Sequence, residues 1–340
     1  MSYAYSSYIA CPNIQDELNT QFLNNTQNTV WPNGTLQLIT SDLNTDGTLQ
    51  RAVSENGKIK TVELRYQPRF TDASSNSATI NCSGGDEYGD TSTTYQVDTS
   101  VGKSRSWKIT PKELAARCEE DAAWVSKQLM RHMTAIEHDM DIEAAQFVAA
   151  NLGDFYDSST KNVNVQTFTS TSTYSQFALG DILYETQRLQ WPGRFFLIGD
   201  GLITKYMNAT DAGCCALQGV DLGMFAQMHQ FPLLRDPEIP TALGNQDAFV
   251  AIGAGAVQMI SYNEFASDIS RINDEGLKVG TIVNPFSNIE YDYYAKYDCG
   301  VWNFQIKLAY KFVTLPSDAY RINDPLEGTN GILQFTVVNP

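Results

Sequence analysis

Leu114, Cys118, Ala122, Val125, Leu129, Met133, Ile136, Met140, Ala144 and Phe147 follow one another at steps of 4, 4, 3, 4, 4, 3, 4, 4 and 3. That spacing is an eleven-residue repeat. It matches a nearly straight α-helix and differs from the 3.5-residue period of a left-handed coiled coil. Thr110-Pro111-Lys112-Glu113 supplies a start, with Thr110 as N-cap, Pro111 at the first helical position and Glu113 three residues after the cap. Gly153 supplies a stop. No other proline or glycine interrupts the stretch, so one helix is expected over 110–153, about 60 Å long at 1.5 Å per residue. Such a helix can be a coiled-coil arm, a bundle member or a beam along which strands pack. The rest of the chain favours the beam, because its patterns are mostly those of strands.

Alternation is clearest near the end. Ile289, Tyr291, Tyr293, Ala295 and Tyr297 alternate with polar residues, Asp298-Cys299-Gly300 makes a turn, and Trp302, Phe304, Ile306, Leu308, Tyr310 and Phe312 alternate again. This predicts an antiparallel hairpin with one buried face, and the stripe of the long helix offers the surface to bury it. Asn330-Gly331 followed by 332–338 predicts one more strand. Before the long helix, Asn56-Gly57 signals a turn. Residues 58–70 and 94–109 have strand composition and flank a polar Gly/Ser-rich stretch, 71–90. The economical picture is a long hairpin with an elaborated tip. Residues 36–40 are expected as a strand, and 1–35 as a polar arm with a short helical piece at 16–23. Between the long helix and the final hairpin, a strand is expected at 163–168, an amphipathic helix at 175–189 and a buried strand at 195–198. Gly199-Asp200-Gly201 should turn that strand into a helix reaching about Asn208. Strand signals follow at 229–234 and in the apolar run 249–260. The fold class is therefore α+β.

Composition narrows the function. The chain has 340 residues, 42% hydrophobic and 18% charged, enough to bury a sizeable core. The formal net charge of −16 argues against a surface built to neutralise phosphates. The arms of the predicted hairpin are basic, with Lys58, Lys60, Arg65, Arg69, Lys103, Arg105 and Lys108, whereas the long helix is acidic. That asymmetry suits either pairing with a like chain or a solvated hairpin whose charges are incidental. Apolar runs are too short for a membrane span, and Met1 to Tyr8 lacks the basic and apolar regions of a signal peptide. The six cysteines, Cys11, Cys82, Cys118, Cys214, Cys215 and Cys299, form no C-x-x-C pair and read as mostly free thiols.

Candidate chemistry is sparse. His132, His138 and His229 lack the spacing of a metal site. His138-Asp139-Met140-Asp141-Ile142-Glu143 gathers ligand-type side chains, but the expectation is a solvated helix face. Gly199-Asp200-Gly201 lacks the third glycine of a dinucleotide fingerprint and reads as a tight turn. Cys214-Cys215 has no histidine partner nearby in sequence. No catalytic residue, cofactor-binding residue, metal ligand or cofactor is assigned, and the chain is not read as an enzyme.

The order of parts resembles the major capsid proteins of tailed bacteriophages, the Hong Kong 97 fold. Three local stretches resemble those of the Bacteroidetes-phage type: Val62-Glu63-Leu64-Arg65-Tyr66-Gln67-Pro68-Arg69-Phe70, the hairpin from Asn288 to Pro316, and Thr329-Asn330-Gly331-Ile332-Leu333. The resemblance implies an N-terminal arm at 1–35 and an extended loop with flanking strands at 36–109. It implies a peripheral domain at 110–193 with its spine helix at 110–153, an axial domain at 194–284, and peripheral-domain strands at 285–340. It also implies a subunit made in the cytoplasm of a bacterial host and built into a virion, where hexamers and pentamers close an icosahedral shell around double-stranded DNA. The DNA would be contacted weakly and without sequence specificity, with no membrane partner. No built-in helical scaffold extension is present, so a separate scaffolding protein is expected, together with a portal and decoration or auxiliary capsid proteins. No lysine–asparagine crosslink is assigned. The alternatives are another virion protein (tail or decoration) and, further off, a β-rich surface binding module such as an adhesin.

Overall fold

The computed structural model describes residues 15–20, 34–40, 50–56, 59–66, 91–98, 101–110, 121–153, 159–164, 177–189, 195–200, 233–264, 277–298, 300–314 and 330–338. Its organising element is the helix α3, Asp121–Ala150, with 30 residues. Val125, Leu129, Met133, Ile136, Met140 and Ala144 are all buried, as the stripe predicts. Trp124, Ala145 and Val148 widen the apolar face. The predicted start at 111–120 lies outside the described residues. At the other end Gly153 N donates to the Ile332 carbonyl, which fastens the end of the helix region to the last strand.

Two short helices precede α3: α1 at 15–20 and α2 at Gly34–Thr40. The expectation of a strand over 36–40 is corrected here. Leu36, Leu38 and Ile39 are buried, and in so short a segment these three apolar positions suit either period. What decides for the helix is its tertiary setting, since the first backbone N–H groups of α2 find acceptors on distant side chains.

Three strands follow, β1 (Gln50–Asn56), β2 (Ile59–Tyr66) and β3 (Thr91–Asp98), in an antiparallel sheet ordered β1-β2-β3. Asn56 pairs with Ile59 across the turn that Asn56-Gly57 signals, and Tyr66 pairs with Thr91. The hairpin tip at 67–90 lies outside the described residues. The second arm, expected as one run over 94–109, is two strands in two different sheets. After β3 the chain turns, with Val101 N donating to the Asp98 carbonyl. It then forms β4, Lys103–Ile109, which pairs with a strand of the body. Gly102 allows this passage, because a Cβ there would stand 2.2 Å from the Leu308 carbonyl oxygen.

The sheet against the long helix contains β4, β10 (Leu277–Val283), β11 (Glu290–Asp298) and β12 (Val301–Thr314) in the order β10-β11-β12-β4. The expected terminal hairpin is β11–β12, with Tyr297 opposite Trp302 and Gly300 at φ 82°. β12 pairs with β4 over Trp302–Leu308 and with β9 (Val257–Tyr262) over Ala309–Thr314. The apolar run 249–260 is thus two strands, β8 (Ala248–Gly253) and β9, separated by a turn in which Ala256 N donates to the Gly253 carbonyl.

A second, mixed sheet has the order β5-β13-β8-β6-β7, from β5 (Thr160–Asn164), β13 (Ile332–Val338), β8, β6 (Phe195–Gly199) and β7 (Leu233–Arg235). The pairs β13–β5 and β6–β7 are parallel, while β13–β8 and β6–β8 are antiparallel. Both faces of its centre are buried, which is why β6 and β8 read as continuous apolar runs rather than alternating ones. Phe196, Ile198, Val250, Ile252 and Ile332 join the core of α3 and the first sheet. Phe195, Leu197, Phe249, Ala251, Leu333 and Phe335 form a separate core with Ile182 of α4, Phe177–Arg188. The helix α5, Glu238–Leu243, contributes Ile239 to the main core. α3 is therefore the beam whose buried face belongs to one core with both body sheets. The segment after Gly199 that was expected as a helix to Asn208 lies outside the described residues.

Candidate functional site: carboxylates along the long helix

Two acids of α3 depart from the solvated face expected from sequence. Glu137 and Asp141 lie four apart on the row that also carries Met133 and Ala145. Glu137 is 3% exposed and Asp141 1%. Each is buried because a partner remote in sequence meets it.

Glu137 fastens the β10–β11 connection. Its Oε1 accepts from Asn284 Nδ2 at 2.7 Å, Ser287 Oγ at 2.6 Å and Tyr291 OH at 2.9 Å. Within that connection Asn288 takes φ 56° and its N–H donates to the Asn284 carbonyl. Burial raises the Glu137 carboxyl above its ordinary range, and the three donors offset part of that rise. Glu137→Ala strands three donors at about 1–3 kcal/mol for each that stays dry, so a loss of about 3 kcal/mol or more is expected in chemical denaturation. Glu137→Gln keeps an acceptor and costs about 1 kcal/mol. A raised native carboxyl stabilises at low pH and loses that contribution as pH rises through its folded value. The glutamine variant therefore has the flatter stability profile above about pH 4.

Asp141 and Asp236 hold the start of α2. Leu36 N donates to Asp141 Oδ1 at 2.8 Å, and Thr35 N donates to Asp236 Oδ2 at 2.8 Å. Thr35 Oγ1 also donates to Asp236 Oδ2, and Glu238 N donates to Asp236 Oδ1 at 2.8 Å.

On another side of α3 the helix meets β4 and β12. Lys103 pairs with Glu143 at 2.6 Å, Arg105 with Asp139 at 3.7 Å, and Tyr310 OH donates to Glu143. For Lys103 and Arg105 this corrects the expectation of acidic partners on another copy, since both meet the acidic helix of their own chain. Burial and the Glu143 bond together push the Tyr310 phenol up. His132 stacks on Trp107 with centroids 4.3 Å apart. Burial, and then the Arg105 charge, push its imidazole below the usual range.

The other candidates are dispersed. His138 is half-buried on α3, and Asp200 at the end of β6 pairs with Arg235 Nε at 2.7 Å. His229, Gly201 and all six cysteines lie outside the described residues. No group of three or more His, Cys, Asp or Glu side chains among the described residues is arranged to hold a metal ion, and no described helix is long and apolar enough to cross a membrane. The carboxylates face backbone amides, hydroxyls and an amide side chain, so their chemistry is to fasten segments together. Sequence reasoning missed them because their partners are remote, although one signal was present. Glu137 and Asp141 sit on a row with apolar residues, and neither has a basic residue four positions away on the helix.

No family model matches the chain, and no curated protein matches it. Solved structures do. The capsid asymmetric unit of cyanophage A-1(L) is 9% identical with a TM-score of 0.48, covering 92% of this chain and 94% of that one. The capsid of Ralstonia phage GP4 is 10% identical with a TM-score of 0.44, covering 86% and 87%. A virus-like particle from Pyrococcus furiosus is 8% identical with a TM-score of 0.38, covering 95% and 98%.

Proposed function

We propose that the chain is a major capsid protein of a tailed bacteriophage. It assembles into hexamers and pentamers that close an icosahedral head around double-stranded DNA. The observation that carries this reading is the β1–β3 sheet. Among the described residues its ties to the body run through β3: Val97 enters the core, Tyr95 OH donates to the Thr314 carbonyl at 2.8 Å, and Lys311 Nζ donates to the Gln96 carbonyl at 3.5 Å. β1 pairs with β2, and β2 in turn with β3. A sheet of three strands needs a covered hydrophobic face for its stability. Burial against a neighbouring copy would stabilise it, and such stabilisation exists only in the assembly.

In this reading 1–35 is the N-terminal arm, 36–109 the extended loop with its flanking strands, and 110–153 the spine helix of a peripheral domain at 110–193. Residues 194–284 are the axial domain, and 285–340 the peripheral-domain strands. The assignment to the Bacteroidetes-phage type rests on the three local stretches alone. A separate scaffolding protein, a portal and decoration proteins belong to the same reading, as does synthesis in the host cytoplasm.

Sedimentation velocity with negative-stain imaging of the purified protein, alone and with a scaffold, tests it. Closed shells, or rings of five and six, are expected. Open tubes would transfer the chain to the tail proteins, and a ligand-binding monomer under both conditions would overturn the assembly role.

A further inference from the structure

The joint between α2, α3 and the turn into α5 has a composition that the assembly reading does not require. Three acids meet there, Asp141, Asp236 and Glu238, and none pairs with a described basic side chain. Asp141 and Asp236 are 1% and 0% exposed. Between them they accept the Thr35 and Leu36 N–H groups and the Thr35 hydroxyl, so α2 starts on two carboxyls from two different elements. Asp141 Oδ1 serves Leu36, while Asp141 Oδ2 is buried with no hydrogen-bond partner. The seat is close-fitting, since a Cβ at Gly34 would stand 2.5 Å from the Arg235 carbonyl oxygen.

Two carboxylates that share a dry site do not both ionise readily. A proton on Asp141 Oδ2 neutralises one of them without disturbing the bond to Leu36. We propose that this joint is a proton-operated latch: with one proton on the Asp141–Asp236 pair both carboxyls hold the first turn of α2, and when that proton leaves, α2 is released from the long helix.

The surroundings fit that role. α2 itself has no titratable side chain, β9 brings only Tyr262, α5 brings Glu238, and β7 brings Arg235, which is engaged with Asp200. α3 adds Glu137 and His138 one turn earlier. No described neighbour is a free cation that could replace the proton. Burial first, and then the Asp236 charge, push Asp141 up to about 8, and burial also raises Asp236. A carboxyl raised in the folded state stabilises fully below its unfolded value, here the ordinary 3.8, and that contribution is lost as pH rises to about 8. Release therefore belongs to alkaline solution.

Hydrogen exchange of the full chain, read by mass spectrometry and corrected for intrinsic rates, tests the latch. From about pH 6 to about pH 9.5, protection over 34–40 should fall about tenfold, while protection over 248–253 stays level. In Asp141→Asn, which keeps an acceptor for Leu36 and cannot ionise, the fall over 34–40 should vanish. Asp236→Asn gives the same result if the first variant does not fold. A flat profile in the natural chain, an equal fall at 248–253, or the same fall in a folded variant would overturn the proposal. The comparison between the two segments can be made on the natural chain alone.

Discussion

A subunit that lacks residues 71–90 folds and stays soluble, and it closes no shells. The expectation starts from register. Tyr66 and Thr91 are the terminal pair of the β2–β3 hairpin. Removing 71–90 leaves 67–70 as a four-residue link between them, a length that natural hairpins use. The three-stranded sheet, its ties through Val97 and Tyr95, and both body cores are left in place. Thermal unfolding should therefore move little, within about 2–4 °C if the local change is about 1 kcal/mol. What is lost is the polar connection itself, with the acidic residues Asp86, Glu87 and Asp90. Imaging and sedimentation of the deletion beside the full chain decide the matter. Normal shells from the deletion would remove the hairpin tip from the assembly mechanism, while the capsid reading itself would stand. An unfolded deletion would show as a lost unfolding transition and is separable from a folded one that fails to assemble.

Much of the body was legible because period and burial agree there. Val125, Leu129, Met133, Ile136, Met140 and Ala144 fall on the predicted stripe, and Tyr291, Tyr293, Ala295, Trp302, Phe304, Ile306 and Leu308 on the predicted face. The buried run at 195–198 was readable for the opposite reason, since a central strand covered on both faces has no alternation to find. Misreadings occurred where two periods coincide or where a contact remote in sequence decides. Leu36, Leu38 and Ile39 suit a strand as well as a helix, and the choice lies with Asp141 and Asp236. The run 94–109 has strand composition throughout, and what divides it is the passage of Gly102 against Leu308. The buried carboxylates were the least legible. Asp and Glu on a helix usually mark water, and their burial depends on Thr35, Leu36, Asn284, Ser287 and Tyr291. Basic β4 illustrates the same limit. Its charge pattern was visible, but the register that sets Lys103 and Arg105 beside Glu143 and Asp139 of the same chain was not.

Phe304→Ala should cost about 3–5 kcal/mol, the usual range for removing a large buried aromatic side chain. Phe304 is 2% exposed and lies at the middle of an aromatic file. Its ring centroid is 5.4 Å from Trp107 on β4, 6.2 Å from Trp302 on its own strand and 6.4 Å from Tyr293 on β11. Trp107 continues the file to His132 on α3. The cavity would therefore open between two neighbouring strands and the beam beneath them. These neighbours are large rings held by cross-strand pairing, with Ala295 and Trp107 directly opposite Phe304 on either side, so the site collapses poorly. Phe304→Leu keeps most of the volume and should cost about 1.5 kcal/mol or less. Urea denaturation followed by tryptophan fluorescence reads both variants, since Trp107 and Trp302 border the change. A cost below about 1 kcal/mol for the alanine variant would mean that the β12 face does not bear on the long helix as described. The beam would then be held mainly through its contacts with α2, α5 and the mixed sheet.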